Sequence, residues 1–226
     1  PPRSTLFPYT TLFRSDALRD QLKALGRKLE RARDWQKLAM ALTELPQDAR
    51  KGAIGPVSAA RARALDKAMR LLASPEWTGW QLEFAAWLET GDWARQPHGC
   101  PFGTTLSEIA GDMLRQRLDN LRALGQPTDV ATAIKAHKRL RKLRYDLDFC
   151  RAVWPAERVA PLQRAVDGLR TPLKQAADDM NAAALLDKID QSTAADALRK
   201  RAAAALKPLP ALWTAFLAAD VVAVSY

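Results

Sequence analysis

Apolar side chains return every third or fourth residue along almost the whole of this chain, and no stretch shows the strict alternation of a half-buried strand. That rhythm admits helices packed on helices and little else. Leu18, Leu22, Leu25 and Leu29 set it from Asp16 onward. Alanine is abundant and β-branched residues are few, so the expected class is all-α. With 226 residues, 48% of them hydrophobic, the chain can bury one large core or two small ones.

Prolines, glycines and capping residues divide the pattern. The spacing predicts a helix from Asp16 to about Ala32, a short second one carrying Trp35, Leu38, Ala39 and Leu42, and a loop from Pro46 to Pro56. A third helix runs from about Val57 to Ala73. Ser74 and Pro75 read as the N-cap and first-turn proline of a fourth. In it Trp77, Trp80, Phe84 and Trp87 follow a 3-4-3 spacing, an aromatic stripe expected in the core. Thr104 or Thr105 caps a helix to Leu124, with Gly125 just past its end, and Thr128 caps the next, to Cys150. Pro161 and Pro172 interrupt the stretch from Glu157 to Leu186, Ser192 and Thr193 cap a further helix, and Pro208 and Pro210 precede a last one with Leu212, Trp213, Phe216 and Leu217. Eight or so antiparallel helices with short loops predict one or two bundles, over residues 16–219.

Both ends depart from this. Residues 1–15, PPRSTLFPYTTLFRS, lack the Ala/Leu/Arg character, and Thr5 to Ser15 resembles a translated sequencing-adapter oligonucleotide, so residues 1–15 are set apart as non-native. Residues 220–226 form a tail of uncertain origin that includes the closing VVAVSY.

Charge narrows the function. Thirty-five Lys and Arg against 25 Asp and Glu give a formal charge of +10, which favours acidic partners: polyphosphate, nucleic acid or an anionic membrane surface. The cations crowd into AHKRLRKLRY, Ala136 to Tyr145. On a helical wheel Ala136, Leu140, Leu143 and Leu147 form one narrow apolar sector, while Lys135, His137, Lys138, Arg141, Lys142, Arg144 and Tyr145 fan across roughly 180° of the other side. Like charges at that spacing repel by a few tenths of a kcal/mol for each i,i+4 pair, so a polyanion that neutralises them stabilises the helix. The plain alternative is a solvated basic face. Arg117 falls on the apolar side of its own helix, either snorkelling to the rim or aimed at an internal anion site.

Other chemistries find less. His98 and Cys100 offer two ligands where a zinc site needs three or four, so no metal is expected. Asp146, Asp148, Asp178 and Asp179 make no evident metal-holding constellation, and no glycine-rich phosphate loop accompanies them, so no catalytic residues and no cofactor are expected. No apolar run reaches the eighteen residues of a membrane span, so no membrane partner is expected. Two cysteines, Cys100 and Cys150, suit a reducing compartment, and a cytoplasmic location is expected by default.

Several elements together resemble the CHAD domain family. HKRLRKLRYDLDF is similar to the family's second repeat motif, RARDWQ at Arg31 to Gln36 to the element after the first repeat's opening helix, and SPEWTGWQLEFAAWLETGDW to the middle segment of CHAD domains fused to CYTH-type inorganic triphosphatases. The resemblance implies two four-helix bundles related by a pseudo-twofold axis, with cations that bind inorganic polyphosphate and with any hydrolysis belonging to a separate CYTH domain. It implies a chain that is not itself an enzyme; the alternatives are non-specific nucleic-acid binding, which no helix-turn-helix, zinc-finger or RNA-binding signature backs, and a generic helical interaction domain. Arg141, Lys142, Leu143, Arg144 and Tyr145 stand in place, whereas Ile134 occupies the family's histidine position, His137 its first arginine, and Lys138 an aliphatic one. The first repeat's basic helix, which would precede Asp16, is absent, so the first half is expected to be incomplete and to expose an apolar face.

Overall fold

The computed structural model describes residues 16–90 and 106–223, and every regular element among them is helical. In chain order these are α1 (Asp16–Thr43), α2 (Gln47–Arg50), α3 (Ile54–Leu72), α4 (Pro75–Thr90), α5 (Leu106–Arg122), α6 (Val130–Phe149), α7 (Ala156–Asp187), α8 (Ser192–Ala205) and α9 (Leu209–Ala223). They fall into two compact units, one holding α1, α3 and α4, the other α2 and α5 to α9.

In the first unit α1 packs along α3, and Leu18, Leu25, Leu38 and Leu42 bury against Val57, Ala60, Ala68 and Leu71. The break expected after Ala32 does not occur. Neither glycine nor proline lies between Leu29 and Trp35, and helix-tolerant Glu30 to Asp34 carry α1 through as 28 continuous residues. The aromatic stripe of α4 is also placed differently. Trp77, Trp80, Phe84 and Trp87 stack in sequence, with ring centroids 5.6, 5.2 and 6.0 Å apart, but all four are only half-buried. Trp80 Nε1 donates to the Leu18 carbonyl at 3.4 Å. No described side chain of α4 is fully buried, because among the described residues this unit offers it only α1 and α3 to pack on. Leu65, Met69 and Leu72 of α3 remain exposed.

The second unit is more fully packed. Leu114, Leu118 and Leu121 of α5, Ala133, Ala136, Leu140, Leu143 and Leu147 of α6, Val159 to Leu173 of α7 and Leu209, Trp213 and Phe216 of α9 share one core. Alpha-helix α7 is its spine: 32 residues, continuous through Pro161 and Pro172 where interruptions were expected. The Pro172 ring is buried, so packing offsets the backbone bond that a mid-helix proline forfeits. The far half of α7 packs on α8 through small residues, Ala176, Ala183, Ala195 and Ala202 among them. Asp179 is 1% exposed there, and both of its oxygens accept from Arg201 of α8, Oδ2 from Nε at 2.9 Å and Oδ1 from Nη2 at 2.6 Å. Gln175 Nε2 also donates to Oδ1, at 3.0 Å.

Two caps were misread by one residue. Asp129, not Thr128, caps α6: its carboxylate accepts from Thr132 N at 2.7 Å, and the Thr132 hydroxyl accepts from Asp129 N at 3.3 Å, a reciprocal capping box. The Thr132 backbone bond holds the Asp129 carboxyl below its usual range. Ser192 is the first residue of α8 and caps nothing; Gln191 precedes it without a side-chain cap bond. Gly125, after α5, takes the left-handed conformation that its place past the helix end requires, at φ 68°.

Candidate functional site

The cations singled out by sequence lie on α6, whose leucine–alanine stripe is turned into the core shared with α5, α7 and α9. The stripe was expected at Ala136, Leu140, Leu143 and Leu147; all four are buried, and Ala133 extends it by a turn. Burial of that side leaves the opposite side outermost; the structure divides the 180° fan of charges into two strips and sets a third strip of α6 against α5.

The outward strip holds Lys135, Lys138, Arg141, Lys142 and Tyr145, all exposed. Among the described residues no carboxylate lies within ion-pair distance of Lys138, Arg141 or Lys142. Lys135 adds a small electrostatic contribution to holding the Asp129 carboxyl down. Tyr145 is 58% exposed, so its ring takes no part in the core. The strip toward α7 holds His137 and Arg144, both half-buried. Arg144 Nε sits 3.7 Å from Asp148 and 3.9 Å from Asp167 of α7. His137 turns its Nδ1 out of solvent.

The third strip faces α5 and is structural. Arg117 of α5 donates from Nε to Asp146 of α6 at 2.6 Å, and Arg139 of α6 donates to the backbone carbonyl of Asn120. Arg117 thus has a carboxylate for company, not an empty anion cavity, and it lies on the side of α6 away from Arg144. The two do not line a common groove with Arg141. Sequence reasoning passed over Arg139 and gave Asp146 no part, because nothing in the 29-residue separation of Arg117 and Asp146 signals their meeting. Asp146 also adds to the effect of burial in pushing the Cys150 thiol above its usual range.

Because Asp146 is mostly buried, removing its partner should show in stability before it shows in binding. An Arg117→Met substitution is expected to cost about 1–3 kcal/mol, the usual range for stranding a part-buried charged acceptor, as read by urea denaturation. Affinity for a polyanion should stay within roughly twofold, since no outward cation moves. A large loss of affinity with unchanged stability would instead make Arg117 a direct ligand.

Metal-ligating side chains do not converge: among the described residues no three His, Cys, Asp or Glu gather. His98 and Cys100 lie outside the described residues. No single described helix is long and apolar enough to cross a membrane; α8 and the first part of α9 pass such a test only as a pair bent by 44°, and both spend their apolar residues in the core.

With that geometry in place, comparison with known proteins decides the family. The model of the CHAD domain matches residues 3–187. The chain belongs to the CHAD family. The matched span begins within the opening segment set apart by its composition and ends at the last residue of α7. A crystal structure of the CHAD domain from the plant Ricinus communis superposes with a TM-score of 0.68 over 90% of this chain and 72% of that chain, at 23% identity. The all-α architecture is therefore that of a CHAD domain. No curated protein matches the chain. Within the CHAD match lie α1, which contains the RARDWQ element, and all of α6.

Proposed function

We propose that this CHAD domain binds inorganic polyphosphate along the outward strip of α6, without chemistry of its own. The observation that carries the proposal is the row Lys138, Arg141 and Lys142, three exposed cations within about one helical turn, none paired to a described carboxylate. A phosphate chain brings one negative charge per unit and gains its binding free energy by releasing counterions, which needs closely spaced cations and little else. Arginine adds forked hydrogen bonds to phosphate oxygens and lysine a mobile point charge. Lys135 and the Tyr145 hydroxyl extend the row at either end. Arg144 and His137 border it, and Arg117 serves it by holding α6 to α5. In a longer protein a CYTH domain would supply hydrolysis, with this domain retaining the substrate.

A flexible chain can follow this short row, whereas duplex DNA presents its phosphates on a stiff cylinder and, with no groove-reading element here, meets the same cations only at a few points. Calorimetric titrations at about 0.15 M salt, where screening acts over about 8 Å, should therefore show polyphosphate bound at least roughly tenfold more tightly than duplex DNA at equal phosphate concentration. Equal affinities would reduce the row to generic positive charge.

A further inference from the structure

The outward strip of α6 is not uniformly basic, and its uneven ends suggest what sits on it. Its N-terminal part carries Lys135, Lys138, Arg141 and Lys142; its C-terminal part carries Tyr145 and, one turn on, Phe149, which is 71% exposed. All but Lys135 fall within a sector of roughly 100°, and the steps from Lys138 to Lys142, Tyr145 and Phe149 are about 6, 4.5 and 6 Å along the axis. Elsewhere in this unit the described aromatic rings are covered: Trp213 and Phe216 are buried, and Trp154 is half-buried against the core. Two neighbouring aromatics turned outward, in line with the cations, therefore form one feature.

A bare phosphate chain can use the Tyr145 hydroxyl but neither ring, and the helix end beyond that hydroxyl discourages phosphate. It coincides with the negative end of the α6 dipole. A neutral, flat group suits it better. A nucleobase stacks on an aromatic face with little regard to its identity. The order along the helix, cations first and rings after, matches a molecule with phosphates at one end and one base at the other. A single-stranded nucleic acid, by contrast, alternates the two.

We propose that the α6 strip takes nucleoside oligophosphates, with the phosphate chain over Lys138, Arg141 and Lys142 and the base against Tyr145 and Phe149. This rests on the polyphosphate reading for its phosphate half only. The test is calorimetric titration of the full chain with inorganic tetraphosphate and with adenosine 5′-tetraphosphate, in magnesium-free buffer. The inorganic chain carries the larger charge, so electrostatics alone ranks it first. Stacking reverses that order, and the adenosine compound is expected to bind about fivefold or more tightly. Phe149→Ala should abolish the difference while leaving inorganic tetraphosphate affinity unchanged, and Phe149→Trp should widen it. If inorganic tetraphosphate binds as well as or better than the adenosine compound, or if Phe149→Ala weakens both equally, the base site is refuted and the polyphosphate reading stands. If neither binds, both fail.

Discussion

Replacing Lys138, Arg141 and Lys142 together by alanine should weaken binding of long inorganic polyphosphate by roughly 100-fold at about 0.15 M salt. The figure follows from about 1 kcal/mol for each exposed cation–phosphate contact, summed over three. The slope of log affinity against log salt should shrink by roughly two to three as well, because fewer counterions are displaced. The unliganded protein moves the other way. These cations have no described carboxylate partner, and Lys138 and Lys142 form an i,i+4 like-charge pair, so the triple variant should melt at the same temperature or slightly higher. Loss of affinity with stability kept is what separates a ligand-binding row from a structural one. Undiminished affinity would remove α6 from the proposal altogether.

The largest stability effect is expected at the other end of α7. Asp179→Ala takes the two-bond carboxylate from Arg201 beside an alanine-rich contact and leaves the Gln175 amide without that acceptor. Breaking a buried pair by deleting one partner typically costs about 3–5 kcal/mol, roughly 10 °C of melting temperature in a chain of this size. Replacing both Asp179 and Arg201 by leucine should recover much of that loss, since the desolvation of two charges disappears with them. Thermal melts of the two variants decide it: a double variant no better than Asp179→Ala would mean the pair contributes shape, not charge balance.

Much of this architecture was legible in the residues because it follows from burial alone. Ala136, Leu140, Leu143 and Leu147 repeat at helical spacing, and a helix with such a stripe has one way to turn. The continuity of α1 and α7 was harder to read. In α1 no breaker stands between Leu29 and Trp35 to stop the helix, whereas α7 continues through Pro172 because its ring is buried. The α4 stripe illustrates the converse. Spacing gave the alignment of its four rings, but only the number of helices around it determines how deeply they sink.

For the site, wheel arithmetic identified the charged half of α6 but not its partition. Arg141 and Arg144 lie within roughly 60° of each other on the wheel, and what distinguishes them is Asp167, far along the chain on α7. Likewise Arg117 reads as an oddity on an apolar face until Asp146 appears opposite it. Ion pairs between distant segments leave no periodic trace. Phe149 was in plain view as a residue of the motif, yet its meaning came only from seeing how far it stands into solvent.

The cations of α6 lie along one exposed helix strip, and that has a consequence for stoichiometry. This exposed row is far shorter than a long phosphate chain, so such a chain offers it many overlapping registers of equal energy. Occupancy would then scale with polymer length, several protein molecules would decorate one strand like beads, and short oligomers would be disfavoured statistically even where each contact is the same.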